Sequence, residues 1–243
     1  MAENKERIAK KIAAAGLCSR RDAEKWILDG RVEVNGIKLT TPAFVVGDED
    51  VVVVDGVPLK APQKVRVWCY HKPVGLLTTH KDPMGRPTVF DNLPHSLPRV
   101  ISVGRLDLNS EGLLLLTTSG ALARSLELPK RGWKRQYRVR IHGSMTPEMI
   151  EKAAKGVTID GNHYASTKIE IEANQSGGKN QWVLVTLTEG KNREIRKMME
   201  HFGLQVSRLI RISYGPFQLG NLSVGEVKEI PQKVIKEQIG CVS

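Results

Sequence analysis

The sequence of 243 residues has few cysteines, few aromatic residues and no long apolar run. Cys18, Cys69 and Cys241 lie far apart without a CxxC pair, which argues against a zinc site or a disulfide framework. No apolar stretch approaches the roughly 18 residues of a membrane helix, and the N-terminal stretch lacks the apolar core of a signal peptide. These absences predict a cytoplasmic protein without a metal, a cofactor motif or a membrane segment.

Basic residues are in excess, since the formal net charge is +11 and the pI is about 9.7. An excess of this size on a folded chain is typical of proteins that bind phosphate groups, so nucleic acid is the favoured partner. The hydrophobic share of 40% allows a sizeable core in one large domain or two smaller ones.

One stretch, SVGRLDLNSEGLLLLTTSG (residues 102–120), joins a polar turn to a strongly apolar run. The run from Leu113 to Leu116 is bounded by turn residues, a pattern that predicts a buried strand. The strand would anchor the turn, and the turn would present Asp107 at a surface. Spacing alone leaves open whether Asp107 is catalytic or only forms a loop ion pair with Arg105.

The run GRLDLNSEGLLLLTTSG resembles the catalytic motif of the RNA pseudouridine synthases, in particular the ribosomal small-subunit synthase branch. In that family the Asp of the GRLD motif is the catalytic residue, which here is Asp107. The sequence departs from the family pattern at Glu111, where a small residue usually precedes the glycine. The resemblance implies an isomerase that needs no redox cofactor, metal or nucleotide.

The first sixty residues show two short helical patterns followed by hairpin signals. Apolar residues recur at helical spacing over residues 7–15, and Ser19 has the position of an N-cap for a second helix. Asn35-Gly36 then predicts a two-residue hairpin turn.

The order RIAKKIAAAGLCSRRDAEKWILDGRVEVNG resembles the S4 RNA-binding domain. In that family the basic second helix, here carrying Arg20, Arg21 and Lys25, faces structured RNA. Contacts of this kind position a protein on phosphates and do not read sequence. A solvated helix face without a ligand is the plainer interpretation of the same charges.

A basic block later in the chain contains a single tyrosine, Tyr137, within an alternating pattern from Lys134 to Ile141. The alternation predicts a strand, and an aromatic ring among cations suits RNA because a base can stack on it. The alternative is a core tyrosine with a satisfied hydroxyl. In the synthase family the Tyr of this KxxYxV segment lies against the target base, which implies that role for Tyr137.

The run EGKNREIRKMMEHFG resembles the third motif of the synthase family. There a helical Arg pairs with the catalytic carboxylate, a role that falls to Arg196 with Arg193 as second choice. Solvated helix charges are the alternative for both. In the following VSRLIRI segment the family's Leu packs under the target base and corresponds to Leu209. Arg105 is the candidate to fill the place that the flipped base vacates.

These patterns together predict an α+β chain. A small S4-like RNA-binding domain would span residues 1–62, with KAPQK (residues 60–64) as a linker. A pseudouridine synthase domain over residues 63–243 would hold a mainly antiparallel mixed sheet flanked by helices, with a flexible loop over residues 175–180.

NQWVLVTLTEGKNRE is very similar to the large-subunit synthase B group of the same family. The similarity implies 23S rather than 16S ribosomal RNA as partner, free or in a ribosome-assembly particle, and a monomer is expected. A non-catalytic ribosomal RNA-binding assembly protein is the main alternative. An RNA glycosidase or nuclease is a weaker one.

Overall fold

The computed structural model describes residues 5–128, 131–173 and 179–240. Most of the loop expected over residues 175–180 lies outside the described residues, as does Cys241. The chain divides into two compact units. The first comprises the described residues up to Arg66 together with residues 95–101 and 117–121, and the second comprises the remainder. A domain boundary at residue 62 stays a prediction.

The first unit contains two short helices and two small sheets. Ser19 caps the second helix, because its hydroxyl accepts a hydrogen bond from the Asp22 amide at 3.1 Å. Asn35 and Gly36, both at positive φ, form the expected hairpin turn between β2 and β3. The elements are β1 (Glu6–Arg7), α1 (Ile8–Ala14), α2 (Arg20–Leu28), β2 (Val32–Val34), β3 (Ile37–Lys38), β4 (Val45–Val46), β5 (Val52–Val54) and β6 (Val57–Pro58).

The core of the first unit is made of small and branched apolar side chains. Ile8 and Ile12 of α1 and Ile27 of α2 are fully buried, and they pack with the valines of β2 and β5. Arg20, Arg21 and Lys25 are exposed on α2. The helix therefore turns an apolar side to the core and a basic side to solvent.

The second unit carries most of the regular structure. Thr146 caps its second helix, as Ser19 caps α2 in the first unit. Its elements are β7 (Val67–Lys72), β8 (Ile101–Val103), β9 (Glu111–Thr117), α3 (Gly120–Glu127), β10 (Arg135–His142), α4 (Pro147–Lys155), β11 (Val157–Ile159), β12 (Asn162–Tyr164), β13 (Lys168–Ile171), β14 (Asn180–Leu187), α5 (Glu194–His201), β15 (Gln205–Tyr214), β16 (Phe217–Gln218), β17 (Val227–Glu229) and α6 (Gln232–Ile239).

Nine of these strands form one sheet in the order β13-β14-β10-β15-β9-β7-β17, with β16 on β15 and β8 on β9. The pairing of β15 with β9 is parallel, and the pairings of β10 with β14 and β15 are antiparallel. The prediction of an α+β chain with a mainly antiparallel mixed sheet is confirmed. Within the described part of the chain, no helix is long and apolar enough to cross a membrane.

Strand β9 lies inside this sheet, and its four leucines from Leu113 to Leu116 are fully buried. A strand covered on both faces needs a continuous apolar run, which explains the pattern in the sequence. Gly112 lies at φ +104°, and a Cβ there would meet the carbonyl oxygen of Arg211 at 2.3 Å. Only glycine lets β9 approach β15 at this point, directly after the turn that carries Asp107.

Candidate active site

An open cavity of about 510 Å³ lies in the second unit at the turn between β8 and β9. Three acidic side chains, Asp107, Glu127 and Glu194, line it. The cations outnumber them, so the cavity suits an anionic ligand. The cationic side chains that line the cavity are Arg105, Arg135, Lys191, Arg193 and Arg211.

Asp107 is half-buried in the cavity wall. Its backbone carbonyl accepts a hydrogen bond from the Ser110 amide at 3.0 Å, which closes the turn. Among the described residues no donor binds its carboxylate, and no ion pair joins it to Arg105, which is exposed at the cavity. The interpretation of these two residues as a loop ion pair is therefore not what the structure shows.

Every backbone carbonyl from Leu106 to Ser110 accepts a hydrogen bond. The Thr78 hydroxyl donates to Leu106 at 2.9 Å, and the Gly75 amide donates to Leu108 at 2.8 Å. Arg196 Nη2 donates to Asn109 at 2.7 Å. The backbone of the Asp107 turn is thus held from several sides, so the position from which its carboxylate projects is fixed before a ligand binds.

Lys72 completes this set of contacts from the end of β7. Its side chain is fully buried, and Nζ donates to the carbonyls of Pro73 at 2.9 Å, Asp107 at 3.2 Å and Ser110 at 2.8 Å. Burial lowers the pKa of Lys72 to about 8, while Asp107 and Glu111 act to raise it. An ammonium with three carbonyl acceptors is a rigid support for the turn.

Arg196 of α5 lies beside Asp107 but bonds the turn rather than the carboxylate. Besides Asn109, its guanidinium donates from Nη1 to the Val206 carbonyl at 3.2 Å. Burial lowers the pKa of Arg196, the neighbouring Arg193 lowers it further, and Asp107 acts in the opposite direction. The charge of Arg196 is therefore felt at Asp107, although no ion pair between them is formed within the described residues. The predicted pairing stays a prediction.

Tyr137 and Leu209 come from neighbouring strands, β10 and β15, and both line the cavity. Tyr137 is paired with Arg211 across these strands, so the two side chains lie on the same face of the sheet. Tyr137 is 9% exposed, and its hydroxyl has no hydrogen-bond partner in the described part of the chain. The ring is held by the sheet while its hydroxyl stays available to a ligand.

Arg193 reaches the cavity from the turn that precedes α5. It lies at φ 53°, ψ 29°, a left-handed conformation that costs about 1 kcal/mol for a residue with a Cβ. A strained residue with a charged side chain at a cavity suggests a functional requirement for that conformation.

Glu111, the departure from the synthase pattern, is neutralised by Arg208. The pair is bidentate, with Arg208 Nε at 2.5 Å from Oε1 and Nη2 at 3.2 Å from Oε2. Glu111 is buried and does not line the cavity, so it is not a second free carboxylate beside Asp107.

Three residues of this region were missed by the analysis of the sequence: Lys72, Arg211 and Glu194. The alternation of buried side chains along a strand could have indicated two of them. Lys72 lies two and four positions after the buried Tyr70 and Trp68, and Arg211 lies two positions after the buried Leu209. Arg211 is 2% exposed, and its Nε donates to the Leu113 carbonyl at 2.7 Å.

The three basic residues of α2, Arg20, Arg21 and Lys25, belong to the first unit and do not line this cavity. Within the described ranges, no cluster of three or more His, Cys, Asp or Glu side chains has the arrangement of a metal site. The cavity therefore offers one half-buried carboxylate, two tyrosines (Tyr137 and Tyr214) and a cationic rim.

Comparison with known families matches residues 66–201 to the RNA pseudouridylate synthases and residues 6–52 to the S4 domain. The crystal structure of a pseudouridylate synthase superimposes with a TM-score of 0.68 at 25% identity, over 96% of this chain and 99% of the other. Both resemblances drawn from the sequence are confirmed.

Individual relatives agree with these matches. A Rickettsia bellii protein described as an uncharacterized RNA pseudouridine synthase is 53% identical over 231 residues, 95% of this chain and 99% of its own. The ribosomal large subunit pseudouridine synthase B of Salmonella typhi is 44% identical, over 88% of this chain and 75% of its own. The protein of that name from Pseudomonas aeruginosa is 40% identical, over 97% of this chain and 63% of its own.

Proposed function

The chain belongs to the RNA pseudouridylate synthase family, and from this premise we propose that it isomerises a uridine of ribosomal RNA with Asp107 as the catalytic carboxylate. The relatives named ribosomal large subunit pseudouridine synthase B support 23S ribosomal RNA, free or in an assembly particle, as the substrate. A ribosomal substrate places the enzyme in the cytoplasm, and we propose that it acts as a monomer.

The observation that carries the role of Asp107 is the support of its turn. Four side-chain or backbone donors from elsewhere in the chain, on Lys72, Gly75, Thr78 and Arg196, fix residues 106–110, while the carboxylate keeps no donor among the described residues. A binding surface has no need of such rigidity, whereas a nucleophile must be held in reacting geometry.

Pseudouridine formation breaks the bond between ribose C1′ and uracil N1, turns the base and joins C1′ to C5. The carboxylate of Asp107 either attacks C1′ or removes a sugar proton that is later returned; at the end C5 gives up its proton and N1, no longer bonded to the ribose, carries one. The reaction is an isomerisation in which nothing is consumed. The requirement on the protein is therefore a positioned carboxylate and a place for the turning base.

The target uridine must leave the RNA stack, which costs a few kcal/mol. Tyr137 and Leu209 line the cavity from neighbouring strands and would hold the flipped base between them. The hydroxyl of Tyr137 would help to remove the C5 proton. Arg105, exposed at the rim, would fill the vacated place in the stack.

Cations around the base complete the proposed RNA contacts. Arg193 at the cavity would bind a phosphate next to the target, and Arg196 would act on Asp107 through its charge. Arg20, Arg21 and Lys25 of the S4 domain would bind phosphates of the surrounding ribosomal RNA. The cations at the cavity would therefore contribute to the reaction, and those of the S4 domain would contribute to RNA affinity.

Tritium release from [5-³H]uridine-labelled 23S and 16S transcripts tests this proposal. The wild type should release tritium from 23S and not from 16S, and Asp107→Asn should lower the rate by about 10³-fold or more while leaving the melting temperature unchanged. Tritium release without free base and without broken chains also separates an isomerase, which leaves the RNA mass unchanged, from a glycosidase or a nuclease. Full activity of Asp107→Asn would refute the assignment, and no release from any RNA or particle would favour the binding protein.

A further inference from the structure

The turn from Glu189 to Glu194 buries a carboxyl group in the wall of the cavity. Glu194, the first residue of α5, is 3% exposed and lines the cavity. Its Oε2 accepts a hydrogen bond from the Lys191 amide at 2.9 Å. Its Oε1 is buried and has no donor among the described residues. One oxygen of this carboxyl group therefore closes the turn and the other has no ordinary partner.

A second carboxyl group faces it. Glu189 Oε1 accepts a hydrogen bond from the Ala165 amide at 2.7 Å, and Oε2 lies 3.0 Å from Lys191 Nζ. Glu189 and Glu194 are close enough for a hydrogen bond between their carboxyl groups. Such a bond requires one proton, because carboxylates only accept. The contact is therefore made by one neutral and one charged carboxyl group.

The surroundings decide which of the two holds the proton. Burial and the neighbouring Glu189 raise the pKa of Glu194 to about 7, whereas the hydrogen bond from the Lys191 amide acts to lower it. Burial also acts to raise the pKa of Glu189, but hydrogen bonds from Ala165, Lys191 and Glu194 outweigh it and lower that pKa. Glu194 is thus the neutral member of the pair and Glu189 the charged one.

Other charged groups near the pair are few. The charged side chains that act on Glu194 are Glu189 and Lys191. Lys191 Nζ also donates to the His163 carbonyl and lies 5.4 Å from the ring centre of Tyr164, both from β12. Strand β11, which packs on α5, presents Val157, Thr158 and Ile159 and no titratable group. Strand β15 also packs on α5 and carries Arg208, which pairs with Glu111, Arg211, which donates to the Leu113 carbonyl, and Tyr214. The Arg135 guanidinium lies near Gly190 and donates to the Thr188 carbonyl. If Glu194 ionises, Lys191 is the cation that acts on both negative charges.

The pair supports the residues that face the ligand. Lys191 and Arg193 lie between the two glutamates in the chain, and both line the cavity. Arg193 is held in the left-handed region immediately before Glu194. A turn of this kind keeps its shape only while the bonds around it persist.

We propose that Glu194 is a positioning residue that, as a neutral carboxylic acid bonded to Glu189, fixes the 189–194 turn and with it the two cations at the RNA phosphates. This inference rests on the proposed function, because it assigns Lys191 and Arg193 to an RNA substrate. Loss of the proton sets two carboxylates against each other and loosens the turn. Activity on RNA therefore falls as the pH rises through neutrality.

The activity test compares the wild type with Glu194→Gln, Glu194→Ala and the surface control Glu151→Gln from pH 5.5 to 9. We expect kcat/KM of the wild type to fall about tenfold for each pH unit above its apparent pKa near 7. Glu194→Gln has a side chain that is neutral at every pH as the partner of Glu189, so its kcat/KM should not fall in this way above pH 7. Glu194→Ala should be impaired at every pH, and Glu151→Gln should follow the wild type. An unchanged decline in Glu194→Gln would overturn the proposal.

A second readout does not depend on activity. Between pH 4.5 and 7 the unfolded chain loses the Glu194 proton while the folded chain keeps it, so the wild type loses stability over this window. The difference in melting temperature between Glu194→Gln and the wild type should change by several degrees in favour of the variant from pH 4.5 to 7. Above pH 7 this difference should stay constant. A gap that does not vary with pH would refute the proposal. Absence of tritium release from any RNA and from any assembly particle would instead count against the proposed function.

Discussion

In residues 5–66 every buried side chain is apolar, whereas the second unit buries four ionisable side chains, of which Glu194 and Arg211 line the cavity: Lys72, Glu111, Glu194 and Arg211. Burying a charge costs several kcal/mol unless hydrogen bonds or a partner offset it. The S4 unit keeps Arg20, Arg21 and Lys25 in solvent, where we propose that they bind phosphates. The synthase unit buries ionisable side chains beside the turn that we propose to be catalytic.

The largest effect is expected from removal of the buried Lys72 ammonium, which supports the Asp107 turn. Lys72→Met deletes three hydrogen bonds to the carbonyls of Pro73, Asp107 and Ser110. We expect kcat on 23S RNA to fall about 10²-fold with little change in KM, because a reacting group displaced by about 1 Å loses that much rate. The free energy of unfolding should fall by about 2 kcal/mol.

Lys152→Met on α4 is the matched control for this change, since Lys152 is exposed and lies outside the cavity. Kinetics and thermal unfolding measured on both variants separate the two effects. A Lys72→Met enzyme with the kcat of the wild type would show that the buried ammonium does not support the reaction.

A smaller effect on the reaction, with a gain in stability, is expected at the strained residue. Arg193→Gly relieves the left-handed backbone and removes the guanidinium. The free energy of unfolding should rise by about 1 kcal/mol, and kcat/KM should fall about tenfold because a phosphate contact is lost.

Asp160→Gly is the control for the backbone part of this result. Asp160 also has a positive φ, in the turn between β11 and β12, and lies outside the cavity. It should keep its activity. Chemical denaturation and steady-state kinetics give both quantities, and equal activity of Arg193→Gly and wild type would remove Arg193 from the site.

The smallest effect on chemistry is expected in the S4 unit. Changing Arg20, Arg21 and Lys25 together to Gln should raise KM about tenfold and leave kcat as it is, because these exposed side chains bind phosphates away from the reacting atoms. The slope of log K against log salt should become shallower by about 2. Changing Lys152, Lys155 and Lys168 is the matched control. A fall in kcat in the Arg20, Arg21 and Lys25 variant would contradict the proposal that the S4 unit contributes to binding only.

The same contrast explains which features could be predicted from the sequence. The cap at Ser19, the turn at Asn35-Gly36 and the buried strand at Leu113–Leu116 follow from residues close together in the chain. Their outcome matches the prediction because local rules decide it. The overall fold was also reached through family resemblance, which carries long-range information that spacing lacks.

The details of the cavity depend on partners far apart in sequence. Arg196 bonds Asn109, 87 positions away, and Arg208 neutralises Glu111, 97 positions away. Lys72 was missed, because nothing near it in the sequence shows that its acceptors lie at Asp107 and Ser110. Side-chain alternation along β7 indicates burial, but it does not name a partner.

The central claim is that binding and chemistry reside in different units, and a single-turnover assay with RNA affinity measured on the same 23S fragment tests it most directly. The account predicts that Asp107→Asn binds with the affinity of the wild type and releases tritium at least about 10³-fold more slowly. It also predicts that the Arg20, Arg21 and Lys25 variant binds weakly and releases tritium at the wild-type rate once RNA is saturating. Tritium release by Asp107→Asn at a rate near that of the wild type, or a slow rate at saturation in the triple variant, would contradict it.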